Sequence, residues 1–201
     1  MNGGAPGLAG APVTKAILVA VGASSLLAQA RRGPVGAAAA LVSFTSPVEL
    51  ALGAALLYHG RLLERTTGSS AYAAGAAVAS VVGRALAALA ARALGAAPPA
   101  AGPYALAFAN LVPYVCDIPP VTTLAGGRVS DKAWVYGVAV QLAACGGRAA
   151  ALPAAAGLVA GLLLRADVGG LGSLRVGGGG VGGVGGVDTR ARADTPLVPP
   201  S

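Results

Sequence analysis

Uncharged stretches dominate the first 164 residues: 16–30, 33–48, 50–60, 66–83, 93–116, 133–147 and 149–164. These runs, with single or paired charges between them, constrain the fold more than any other feature. Only 10% of residues are charged, against roughly 25% in an ordinary soluble domain. With a mean hydropathy of +0.72, a charge-coated soluble globule is excluded. Disorder over most of the chain is excluded too, because disordered segments are polar and charged. A small integral membrane protein fits better than an Ala-rich soluble helical bundle.

A membrane-spanning helix needs about 20 mostly apolar residues, with roughly 17 tolerated. Several of the runs fall short of that. Helices shielded from lipid inside a bundle can nevertheless be short and rich in small residues, which let backbones approach. The pattern therefore predicts an all-α membrane protein of six transmembrane helices, near 13–30, 43–61, 68–92, 103–117, 130–146 and 149–165. Glu49 falls in the second and Arg84 in the third. Residues 1–12 read as a flexible N-terminus and 13–167 as the transmembrane domain. Residues 168–201 read as a disordered tail, since 11 of the 18 residues in 169–186 are Gly and backbone entropy opposes a regular fold there. The first residues lack the charged start of a secretory signal, so no cleaved leader is expected.

The formal charge of +7 would suggest nucleic acid if the basic residues clustered. They are scattered as membrane flanks, so no nucleic-acid partner is expected. With six spans and a cytosolic N-terminus, Lys15, Arg61, Arg65, Arg128, Lys132, Arg165, Arg175, Arg190 and Arg192 fall on the cytosolic side. Arg31, Arg32, Arg92 and Arg148 fall opposite, as the positive-inside rule prefers. Cys116 and Cys145 then lie at opposite ends of successive helices, beyond disulfide reach.

Few residues here can carry chemistry. His59 is the single histidine; with Glu49 or Glu64 it could form a proton relay, but its place near a predicted helix end fits a structural role. One His without an acidic cluster makes no metal site, and no cofactor is implied. Gly157 and Gly161 form a GxxxG in the last helix, a device for close helix crossing. Pro119 and Pro120 would stop the fourth helix, and Ser130 could cap the fifth.

The order of motifs resembles the rhomboid-like superfamily, and most closely its ubiquitin-associated-domain-containing members of the endoplasmic reticulum membrane. The resemblance rests on PVTK (12–15), YHGRLLERTTGS (58–69), FANLVPYVCDIP (108–119), SDKAWVYGVAVQL (130–142) and AGLVAGLL (156–163). It implies a family motif of Glu64, Arg65, Gly68, Pro113, Asp117 and Pro119. Active rhomboids are intramembrane serine proteases with a G-x-S-G nucleophile motif opening the fourth helix and a general-base His in the sixth. Matching by Phe108 puts that motif on Gly102-Pro103-Tyr104-Ala105, and matching by Gly157 and Gly161 puts the histidine position on Ala154. Tyr104 and Ala154 thus mark a degenerate dyad, since neither supplies an activated nucleophile or a base.

The resemblance implies a pseudoprotease scaffold in endoplasmic-reticulum-associated degradation. It would hold membrane proteins, among them ubiquitin ligase and adaptor components. The 34 residues after Asp167 hold too few apolar side chains for a ubiquitin-associated domain, so direct ubiquitin binding is not carried over. An active rhomboid protease and a small transporter are the alternatives. The transporter is disfavoured because only Glu49 and Arg84 lie deep in apolar runs.

Overall fold

The computed structural model describes residues 7–31, 41–118, 123–124, 129–130 and 132–166. Six helices of 14 to 25 residues stand out among them: α1 (Pro12–Arg31), α2 (Pro47–Thr67), α3 (Ser69–Ala93), α4 (Tyr104–Asp117), α5 (Lys132–Cys145) and α6 (Gly147–Arg165). Between α4 and α5, Thr123–Leu124 pairs antiparallel with Val129–Ser130. An all-α architecture therefore holds apart from this two-residue ladder. Pro119 and the Gly-rich segment 168–201 lie outside the described residues.

Local signals explain the ends of α2. Ser46 caps its start, the hydroxyl accepting from Val48 N–H at 3.3 Å, and Pro47 follows at the first helical position, where a missing N–H costs nothing. The helix stops at Gly68, whose φ of +88° suits glycine and whose N–H donates to the Glu64 carbonyl at 2.8 Å. This corrects the sequence reading of a second helix over 43–61. The charged Arg61–Arg65 stretch does not end the helix, because Glu64 turns inward and the arginines reach back along the surface. Arg61 stacks over the Tyr58 ring at 3.8 Å, and Arg65 donates to the carbonyls of Gly7 (2.9 Å) and Ala9 (2.6 Å). His59 consequently sits well inside α2, not at its end.

At the centre stands α4. Six consecutive residues, Tyr104 to Ala109, are buried, a pattern open only to a helix covered on all sides. It packs chiefly on α6 and also on α2 and α3, while α1 leans on α2. Of the six helices, α1, α3 and α6 are long and apolar enough to cross a membrane. At 14 residues each, α4 and α5 rise about 21 Å, short of the roughly 30 Å hydrocarbon core.

Two prolines interrupt helices at points where a neighbouring segment closes in. Pro153 in α6 has no N–H for the Ala149 carbonyl; the N–H of Ala100, in the α3–α4 connection, donates to that carbonyl at 2.9 Å instead. Pro113 likewise frees the carbonyl of Ala109 in α4. Gly161 of α6 closes on that oxygen: a Cβ at Gly161 would lie 2.6 Å from it. The proline that weakens each helix thus exposes a polar group at which a neighbour docks.

Candidate functional site

Tyr104 opens α4 and is fully buried. Its ring meets Phe44 edge-on at 5.3 Å between centroids, in the geometry aromatic pairs prefer. The Phe44–Tyr104 pair lies so close to Gly102 and Gly146 that a side chain at either would collide. A Cβ on Gly102 would lie 2.9 Å from Phe44, and one on Gly146 would lie 2.8 Å from the tyrosine hydroxyl. Gly102 also has φ +122°, a conformation glycine alone tolerates easily. Among the described residues the Tyr104 hydroxyl has no hydrogen-bond partner, although the Glu49 carboxylate is near enough to act on it electrostatically.

Ala154 is buried on α6. Below it, the Gly157 and Gly161 face lies on α4: a Cβ on Gly157 would sit 2.5 Å from the Ala105 carbonyl oxygen. The α4–α6 seam runs parallel, with Gly157 beside Ala105 and Phe108 and Gly161 beside Ala109 and Val112. Tyr104 and Ala154 both belong to the buried core cluster that runs through the bundle. The two positions read as a degenerate dyad thus lie on the two helices of this seam, Tyr104 on α4 and Ala154 on α6, and both are buried.

At the opposite end of the bundle, where α1 begins and α2 ends, Glu64 is the most buried charged residue described, 1% exposed. Its carboxylate accepts four hydrogen bonds: from Val13 N–H (2.9 Å), Thr14 N–H (2.7 Å), the Thr14 hydroxyl (2.8 Å) and the Ser69 hydroxyl (2.7 Å). Val13 and Thr14 lie in the first turn of α1, where N–H groups lack helical partners and the helix dipole favours an anion. Glu64 is thus a cap supplied by a different helix, and it ties α1, α2 and α3 together. Pro12 precedes these donors and needs no partner of its own. Beside the clasp, the Asn110 amide of α4 donates to the Tyr72 hydroxyl of α3 at 3.0 Å. A Cβ on Gly60 would collide with that hydroxyl.

A comparison with curated proteins matches the chain to Rhomboid-like protein 18 of Arabidopsis thaliana, 31% identical over 193 aligned residues that cover 85% of this chain and 67% of that protein. The chain belongs to the rhomboid-like superfamily. With three apolar helices of spanning length, this rhomboid-like chain is an integral membrane protein and its solvent is the lipid bilayer. Exposed Val19, Leu26, Val81, Leu89, Val140 and Leu162 suit that solvent. No family model and no solved structure matches the chain.

The other residues singled out by sequence fall in separate places. Asp117 and Arg165 form a surface ion pair at 2.8 Å, joining the C-terminal ends of α4 and α6. Arg65 and Gly68 flank the Glu64 clasp, and Pro113 faces the α6 seam. His59 bonds its Nδ1 to the Ala55 carbonyl at 2.7 Å and lies edge-on to Tyr114, away from Glu49 and Glu64. Glu49 and Arg84 do not pair: Glu49 accepts from the Thr45 hydroxyl at 3.1 Å, and Arg84 donates to the Gly102 carbonyl at 3.1 Å. Both cysteines are free and exposed, and among the described residues no cluster could hold a metal. Sequence reasoning missed the roles of Thr14 and Asn110, which stand in quoted motifs, and of Phe44 and Tyr72, each isolated in an apolar run. It also missed Lys132, whose buried ammonium donates to the Val115 carbonyl at 2.7 Å near the end of α4.

Proposed function

We propose that this chain is a catalytically inactive rhomboid-like protein of the endoplasmic reticulum membrane. In this reading it is a six-span scaffold that holds transmembrane or membrane-associated partners for degradation. The observation that carries inactivity is the buried Tyr104 ring at the start of α4, with Ala154 on the facing helix. A serine–histidine pair needs an exposed hydroxyl and a base within hydrogen-bond reach, and those positions provide neither. The hydroxyls and imidazole elsewhere do not replace them. Ser80 bonds the Ala76 carbonyl at 2.7 Å within its own helix, as His59 bonds Ala55.

Six spans follow if α2, α4 and α5 cross beside the three longer helices. The short α4 is buried almost throughout and meets little lipid, and Glu64, the most buried charge of α2, is hydrogen-bonded four times. The Glu64 end of the bundle carries Lys15, Arg61, Arg65, Lys132 and Arg165, the Tyr104 end Arg31, Arg92 and Arg148. That bias supports a cytosolic Glu64 end. The resemblance to members carrying ubiquitin-associated domains supports the compartment and the class of partner.

Purified protein incubated with rhomboid substrates should release no cleavage product, while crosslinking in microsomes should trap membrane proteins of the degradation machinery. Cleavage abolished by Ser80→Ala or His59→Ala would overturn the inactive reading. Crosslinks confined to lipid would overturn the scaffold.

A further inference from the structure

A cavity of about 530 Å³ opens between α1 and α3, lined by Ile17, Val21, Val42, Val81 and Leu106, with Arg84 in its wall. The lining is almost wholly apolar, with Arg84 and Ser80 its polar residues. Arg84 has five N–H donors. Among the described residues it makes one hydrogen bond, to the Gly102 carbonyl, and no ion pair. A guanidinium within an apolar helix is costly unless an anion or water reaches it.

Its depth decides what could reach it. Arg84 stands nine residues before the end of α3, about 13.5 Å along the axis. The 25-residue helix rises about 37 Å against a hydrocarbon core of roughly 30 Å. Centred in that core, the helix carries Arg84 about 10 Å below the nearer boundary. The irregular backbone at Gly102 meets the guanidinium at this level, and such backbone is tolerated only inside protein or beside water. Gly102 is buried, so protein covers this backbone, and the long arginine stem carries its cation from mid-helix towards the start of α4 and the nearer membrane surface.

We propose that this cavity is a binding site for an anionic phospholipid. Arg84 takes the headgroup phosphate, and an acyl chain lies along Ile17, Val21, Val81 and Leu106. The guanidinium fork matches a phosphate bidentately. Volume argues against a partner helix. One helical turn, about 10 Å across and 5.4 Å tall, occupies about 420 Å³, so the cavity holds hardly more than a turn, whereas an acyl chain enters endwise. Acyl burial adds little, because lipid tails are already in hydrocarbon. Selectivity rests on charge.

The test uses the full chain reconstituted in phosphatidylcholine nanodiscs containing phosphatidylinositol, with retained lipid counted by native mass spectrometry after detergent release. Wild type should keep one phosphatidylinositol, preferred about tenfold over phosphatidylcholine, the factor a single charge-assisted hydrogen bond supplies. Arg84→Gln should abolish the preference and Arg84→Lys should keep part of it. Val81→Trp should expel the lipid with Arg84 intact, and unchanged melting of the variants would separate loss of the site from loss of the fold. Equal retention of both lipids, full retention by Arg84→Gln, or a fatty acid or protein carboxylate found at Arg84 would each overturn the proposal. The scaffold reading would survive any of these, since it is judged by cleavage and protein crosslinks.

Discussion

Replacing Glu64 by Ala would remove the acceptor for four hydrogen bonds at once. The Thr14 and Ser69 hydroxyls can rotate towards other acceptors. The N–H groups of Val13 and Thr14 cannot, and each stranded buried donor costs about 1–3 kcal/mol. Two such groups give about 2–6 kcal/mol. Relief from burying the carboxylate offsets part of that, leaving a net loss of about 2–4 kcal/mol. Reversible unfolding in detergent would measure it, and hydrogen exchange would place it: the amides of Val13 and Thr14 should lose protection before those of α4. Thr14→Val should cost less, about 1 kcal/mol, and should not add to Glu64→Ala, because both remove the same bond. A loss below about 0.5 kcal/mol for Glu64→Ala, with α1 still protected, would refute the idea that a carboxylate from α2 anchors α1.

Gly161→Leu should destabilise by about 1–3 kcal/mol, because its Cβ would press on the backbone oxygen of Ala109, which cannot swing away; an unchanged melting temperature in detergent would show that the seam yields. Both termini should face the cytosol, so protease added to sealed microsomes should remove a C-terminal tag, and a protected tag would mean that one of α2, α4 or α5 does not cross.

Helix positions are legible in the sequence because charges punctuate the apolar runs, and each predicted helix has a counterpart. The exception is instructive. Arg61, Glu64 and Arg65 read as a boundary after residue 61, yet α2 continues to Thr67, because a charged residue can be absorbed when its partners come from elsewhere. PVTK and ERTTGS were visible as motifs, but nothing local shows that they are two halves of one contact, 50 residues apart. Proline compensation is hidden in the same way. Pro153 announces a free carbonyl at Ala149, while its donor, Ala100, lies in an unremarkable Ala–Pro stretch. The candidate dyad was legible only through resemblance, since no property of Tyr104 or Ala154 taken alone distinguishes it from core.

Tyr104 can be tested as a plug by substitutions that separate volume from polarity. Phenylalanine keeps the ring against Phe44 and between Gly102 and Gly146, and removes a buried hydroxyl that has no hydrogen-bond partner among the described residues. Tyr104→Phe should therefore change stability by less than about 1 kcal/mol, in the stabilising direction. Serine, the residue of an active rhomboid, is about 100 Å³ smaller, and the cavity term alone comes to about 2.4 kcal/mol, before lost ring contacts bring the total to about 3–5 kcal/mol. Adding Ala154→His would force an imidazole into a buried methyl site on the seam, at a further cost of about 1–3 kcal/mol. Under the proposed inactive reading, introducing both residues should thus unfold the seam before it confers cleavage. Unfolding of the three variants in detergent decides the matter. If Tyr104→Ser proved as stable as Tyr104→Phe, the tyrosine would not be filling the site, and the ground for reading this end of α4 as closed would be gone.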